Sequence, residues 1–118
     1  MRDRLRNVPE EPLRKQSELL PYRIEYSPDA EDHLRTLTAR QQRIVLDAVD
    51  EQLVHEPTVE TRNRKPMRPN PLAPWELRIG NLRVYYDAEE EPEPVVFIRA
   101  VGVKLRNRVR IGRAVIEL

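Results

Sequence analysis

The 118-residue sequence predicts an α+β fold: a small antiparallel sheet with a two-helix N-terminal hairpin packed on one face, in the order β-α-α-β-β-β. Three observations point there. Two helix-start signals follow closely on a short alternating segment. Gly80-Asn81 separates two further alternating segments in the manner of a tight hairpin turn. Residues 95–103, "VVFIRAVGV", are apolar on both faces, as a central strand requires.

The length favours one small domain, read here as residues 21–118 after an N-terminal arm at residues 1–20. The arm holds two prolines, Pro9 and Pro12, and alternating charges with little to bury. At 39% hydrophobic and 35% charged the chain is polar without having the composition of a disordered protein. The absence of cysteine excludes disulfides and thiolate metal sites. The start shows no apolar signal region, and no run approaches the ~18 residues of a membrane span. A cytoplasmic protein without a membrane partner is the expectation.

In "YRIEY", Tyr22, Ile24 and Tyr26 alternate with Arg23 and Glu25, the pattern of a half-buried strand. Ser27 is a good N-cap, Pro28 suits the first helical position, and Asp29, Glu31 and Asp32 favour the positive end of a helix dipole. Ala30, Leu34 and Leu37 share one helical stripe. Thr38 with Gln41 fits a capping box for a second helix, whose apolar face is Ile44, Val45, Ala48, Val49 and Leu53. Pro57 stops that helix near His55 or Glu56. Residues 57–74, rich in proline and basic side chains, read as a loop, and a loop this long in a small domain is often functional. "WELRI" and "LRVYYD" then pair across Gly80-Asn81, an acidic link follows, and the apolar strand leads into "KLRNRVRIGR".

Charge is unevenly distributed although the formal net charge is only +1. Residues 22–61 carry four basic and nine acidic side chains, whereas residues 62–118 carry twelve basic and seven acidic. Local charge of one sign, more than the net, decides whether a surface attracts phosphate. Two features of the basic half stand out. A two-residue turn places Arg78 and Arg83 directly opposite one another, which is unfavourable unless an anion or a carboxylate such as Glu76 comes between them. Lys104, Arg106, Arg108 and Arg110 fall at every second residue, so an extended chain lines them up roughly 7 Å apart, close to the spacing of phosphates. A solvated or carboxylate-paired strand edge accounts for the same comb. Arg99, amid apolar neighbours, calls for a partner, and a structural ion pair is the first expectation. His33 and His55 lie on predicted helices with no matching ligand, so neither a metal site nor a Ser-His-Asp arrangement is expected.

"YRIEYSPDAEDHLRTL", a second helix, "WELRIGNLRVYYD" and "VVFIRAVGVKLRNRV" together resemble the RelE/ParE superfamily of bacterial type II toxins over roughly residues 21–113. The resemblance implies a toxin neutralised by a cognate antitoxin. On the RelE side it implies ribosome-dependent, metal-independent and cofactor-free cleavage of mRNA, leaving 2′,3′-cyclic phosphate and 5′-OH ends. Arg78 matches the family's hairpin arginine at the scissile phosphate, Lys104 the basic residue after Val-Gly, and Arg110 the position of a C-terminal tyrosine. Arg62, Arg64 and Lys65 fall in the region of the loop lysines, and Arg83, Arg106 and Arg108 extend the phosphate-binding set. Arginine at 110 is a poor proton shuttle because of its high pKa. Tyr85 or Tyr86 is then the alternative proton carrier. Two other readings are a ParE-like inhibitor of DNA gyrase and a non-catalytic binding module of the same fold.

Overall fold

The computed structural model describes residues 20–117; the arm expected at residues 1–20 lies, but for Leu20, outside them. The elements run β1 (Arg23–Tyr26), α1 (Pro28–Arg35), α2 (Ala39–Gln52), β2 (Arg64–Pro66), β3 (Trp75–Ile79), β4 (Leu82–Glu89), β5 (Val95–Lys104), β6 (Val109–Ile111) and β7 (Ala114–Ile116). The helix starts follow the chemistry of their caps. Ser27 Oγ accepts the Ala30 N–H at 3.0 Å. Thr38 Oγ1 accepts the Gln41 N–H at 3.1 Å while Gln41 Oε1 accepts the Thr38 N–H at 3.0 Å, the reciprocal pair of a capping box. The second helix ends at Gln52, earlier than Pro57 alone suggests. The carbonyls beyond it are taken elsewhere: Val54 O accepts from Tyr22 N at 2.8 Å, and Arg64 reaches Gln52 O at 2.6 Å.

The sheet is built around β5. Along one side β4 pairs with it antiparallel; the other side is divided between β1, parallel to Val95–Ile98, and β6, antiparallel to Gly102–Lys104. Beyond β4 lie β3 and then β2, and beyond β6 lies β7. The α+β class stands, with one correction: the β1–β5 pair is parallel. The two helices after β1 carry the chain across one face before it returns, the long connection a parallel pair needs. One short strand occurs where a loop was expected, β2 inside the proline-rich segment, and the terminal segment adds a short edge strand, β7.

Both helices pack on the same face. Val45, Val49 and Leu53 of the second helix and its cap bury against Leu77, Val84 and Ile98, all of them fully covered. Each such side chain contributes about 2 kcal/mol of apolar burial. Among the described residues no helix covers the opposite face, which has a smaller cluster of Tyr85, Ala100, Val109 and Ile111, with Ala73, Met67 and Leu72 of the proline-rich loop packed against it.

Two local expectations change. Tyr85 pairs with Ala100 but Tyr86 pairs with Ile98, so Arg99 is the extra residue of a β-bulge. The bulge turns Arg99 into solvent, with its guanidinium 5.4 Å from the Phe97 ring centroid, and this cation–π contact replaces the expected ion pair. The basic comb is not one strand either. Lys104 ends β5, residues 105–108 turn with Leu105 N–H donating to Arg108 O at 2.8 Å, and the chain returns as β6. The turn buries Val109 and Ile111 on the open face, and it breaks the alternation.

Candidate active site

The β3–β4 hairpin sets the geometry. Gly80, at φ 58°, allows the two-residue turn, and the register that follows pairs Arg78 with Arg83 and Glu76 with Tyr85 on the open face. The two arginines face each other as like charges, and Glu76 relieves the repulsion. Its Oε1 accepts from Arg78 Nε at 2.7 Å, and Oε2 lies 3.9 Å from Arg83 Nε. Arg83 also donates to Gly80 O at 2.7 Å and Leu82 O at 2.9 Å, so its guanidinium curls over its own turn. Glu76 and Arg83 are 10% and 13% exposed at the side chain, whereas Arg78 is 48% exposed. Arg78 is therefore the most accessible member, and its pairing towards water is worth little.

Beneath Glu76 lies Tyr85, fully buried, whose hydroxyl has no hydrogen-bond partner. Burial raises its pKa, and the carboxylate of Glu76 adds to the rise by its charge and by a close approach to the hydroxyl that falls short of full hydrogen-bond geometry, while Arg83 and Arg78 oppose it. Tyr86, the next residue, points to the helix face and donates to Pro57 O at 2.6 Å. Burial raises its pKa as well, while Arg64 opposes the rise.

The third cation comes from β5. Gly102 sits opposite Arg83, and β6 packs so closely there that an added Cβ meets Arg110 O at 2.6 Å and Val109 Cγ1 at 2.8 Å. The glycine of the Val-Gly-Val-Lys segment thus lets β6 close one wall of a cleft. Lys104, two residues on and on the same face, donates to Arg106 O at 2.8 Å and Leu105 O at 3.3 Å, holding the turn that forms the rim. The facing wall is residues 66–70. Asn70 braces this loop, its Oδ1 accepting from Leu72 N and Ala73 N and its Nδ2 donating to Arg68 O and Ala73 O. The cleft measures about 650 Å³, and among the described residues Arg68, Arg78, Arg83 and Lys104 line it against the one carboxylate of Glu76. Such a pocket attracts a polyanion.

Of the residues singled out in the sequence, Arg78, Arg83 and Lys104 come together. Arg106 and Arg108 are exposed on the rim turn, and Arg62 is exposed on the segment before β2. Lys65 lies on the cleft face beside Glu76 in register and 3.4 Å from Glu60 Oε2. Two residues leave the group. Arg64 pairs with Leu77 on the helix face, is buried, and spends its guanidinium on the carbonyls of Gln52, Val59 and His55. It is a brace for the end of the second helix, not a phosphate contact. Arg110 pairs with Val103 on the same helix face and donates to Gly112 O at 2.8 Å, so it is turned away from the cleft. Glu76 and Arg68 are the cleft groups that the sequence reading left out of the site. Glu76 was legible only as a neutraliser of the arginine pair, and the Asn70 brace that presents Arg68 has no signature in spacing.

No protein-family model and no curated protein matches the chain. Among solved structures, the chain is similar to one in the toxin–antitoxin complex RelBE2 from Mycobacterium tuberculosis. The match has 26% sequence identity and a TM-score of 0.63, and it covers 73% of this chain and 94% of that one. An α+β domain with its basic cleft on the sheet face opposite two N-terminal helices defines the class. The chain has the fold of a RelE-like toxin, in agreement with the RelE/ParE resemblance of its sequence.

Proposed function

We propose that the chain is the toxin of a type II toxin–antitoxin system and that it cuts mRNA on the ribosome, with the RNA backbone lying in the basic cleft. The observation that carries this reading is the convergence of Arg78, Arg83 and Lys104 on one cleft of the sheet face opposite the two helices. Scission by the neighbouring 2′-hydroxyl develops negative charge on the phosphate oxygens, and preorganised cations there stabilise the transition state. Arg78, half exposed, is free to swing from Glu76 to a phosphate; Arg83 and Lys104 are held by backbone carbonyls close by. The similar solved structure is a toxin–antitoxin complex, which supports a cognate antitoxin as the partner that blocks the cleft. No helix among the described residues is long and apolar enough to cross a membrane, and action on the ribosome places the chain in the cytoplasm.

The test is translation of a reporter mRNA in a cell-free system with purified protein, the RNA ends mapped by primer extension. Cuts that need translation, and that Arg78→Ala abolishes while the variant melts like the parent, are the expected result. Intact RNA removes the nuclease reading. One observation favours a second reading: no tyrosine or histidine lines the cleft, and Arg110 stands on the other face. A ParE-like gyrase inhibitor or a non-catalytic binding module needs neither group, and a supercoiling assay with the same protein separates the two.

A further inference from the structure

We infer that Tyr85 is a positioning residue for a general base, and that the base is Glu76. The inference rests on the reading of the cleft as an RNA-cleaving site. Its starting point is a polar atom out of place. Among the described residues, the Tyr85 hydroxyl is the one buried side-chain nitrogen or oxygen without a hydrogen-bond partner. A folded chain rarely keeps such an atom, since the lost contact with water is not replaced. Phenylalanine fills the same space without that penalty. The hydroxyl sits on the cleft face beside Glu76, its cross-strand neighbour, and not in the helix-side core where Tyr86 has found a carbonyl.

Glu76 is the group whose partners change when a substrate arrives. Its Oε1 is held by Arg78 at 2.7 Å, while Oε2 has only a loose contact with Arg83 at 3.9 Å. A phosphate competes for both guanidinium groups, and it offers the bidentate geometry that arginine prefers. Once Arg78 turns to the phosphate, Glu76 is a largely buried carboxylate without its main counter-ion, and its Oε1 is free to accept a proton. The Tyr85 O–H is then the donor at hand. It binds one carboxylate oxygen and leaves the other facing the RNA.

The chemistry balances with water as the only further participant. Glu76 takes the proton of the 2′-hydroxyl, the 2′-oxygen forms a bond to phosphorus, and the bond from phosphorus to the 5′-oxygen breaks. The 5′-oxygen takes a proton from water, and the hydroxide left behind removes the proton from Glu76, which restores the carboxylate. The products are a 2′,3′-cyclic phosphate and a 5′-hydroxyl, and the bound phosphate itself switches on the base.

The experiment compares the parent with Tyr85→Phe and Glu76→Gln in three measurements. These are thermal melting, fluorescence anisotropy with a single-stranded 2′-O-methyl RNA, which binds but lacks the nucleophile, and translation-coupled cleavage across a pH series. Tyr85→Phe is expected to melt at or above the parent's temperature and to bind the RNA within about twofold, because its hydroxyl contributes to neither. Its cleavage falls about tenfold or more, and the acidic limb of its pH profile moves to higher pH as the carboxylate loses its donor. Glu76→Gln binds the RNA more tightly, having lost the competing carboxylate, and does not cleave. A parent that cleaves together with a Tyr85→Phe variant of equal rate and unchanged pH profile overturns the assignment and leaves the nuclease reading intact. A Tyr85→Phe variant that loses cleavage only in step with a lower melting temperature also overturns it. A parent that cuts nothing overturns both.

Discussion

Tyr85 and Tyr86 are adjacent in sequence, equally buried, and on opposite faces of one strand. Tyr86 has a partner for its hydroxyl on the helix-covered face, and Tyr85 has none on the open face. The same contrast separates the arginines. On the helix face Arg64 satisfies three backbone carbonyls and Arg110 one, each fixed to the chain that surrounds it. On the open face Arg83 and Lys104 are also tied to backbone carbonyls, but Arg78, half exposed, rests only on the Glu76 carboxylate, and the Tyr85 hydroxyl on nothing. One face is polar chemistry completed within the fold; the other is left incomplete around a cleft. Completed groups stabilise, and incomplete ones are available to a ligand.

Substitutions that separate the faces follow from this difference. The largest loss of stability is expected at the apolar core: Ile98→Ala removes a fully buried side chain under the helices and costs about 3 kcal/mol in a urea titration. Next comes Arg64→Ala, about 2 kcal/mol, because it leaves the carbonyls of Gln52 and Val59 without their donor. A loss below about 0.5 kcal/mol means that water replaces the guanidinium, and Arg64 would rejoin the residues open to RNA. Tyr86→Phe ranks third, at about 1 kcal/mol, for the one bond to Pro57 O. Set beside the neutral or stabilising Tyr85→Phe, it gives opposite signs from the same atom deleted at neighbouring positions.

Much of this division was legible before any coordinates, for identifiable reasons. Helix caps are local, so Ser27 and Thr38 announced their helices. The two-residue turn at Gly80 fixes a register, so the Arg78–Arg83 juxtaposition followed from counting. Where a pairing depends on distant chain, counting fails. The parallel contact of β1 with β5 joins residues some seventy positions apart, and β2 is only three residues long within a proline-rich loop. The comb shows the problem most directly. Its period of two is that of a strand, yet the turn at residues 105–108 resets the phase, and a shift of one residue moves a side chain to the other face. Arg110 matches the RelE tyrosine position by resemblance and joins the comb by a periodicity that the turn interrupts, and neither signal shows which face its strand presents.

A smaller effect is expected at high pH. Tyr26 is pushed up to about 12, first by burial and then by the nearby Asp50 carboxylate. Its folded-state pKa lies above the unfolded value near 10, so the fold favours the protonated phenol. The associated stability is complete below about pH 10 and is lost as pH rises towards 12. Urea midpoints taken between those values should fall less steeply for Tyr26→Phe than for the parent. Equal slopes would show that the phenol titrates alike in the folded and unfolded chains, and that the helix-side contacts around it leave it open to water.

The smallest effect expected is the most informative about the site. Arg110 occupies the position where the RelE resemblance implies a catalytic group, yet its strand register turns it towards Val103 and its guanidinium donates to Gly112 O. Arg110→Ala should therefore change stability by less than about 0.5 kcal/mol and leave translation-coupled cleavage within about twofold, well short of the loss expected for a transition-state contact. Arg78→Ala, measured in the same extract, should abolish cutting. If the two variants were equally inactive, β6 and β7 would have to shift register or detach when the ribosome binds, because no side-chain rotation carries Arg110 through the sheet. That outcome would move the division between the faces from the folded chain to its complex. Unequal variants place the division in the fold itself, with the loss of a C-terminal proton carrier offset by a base that the resting structure keeps paired.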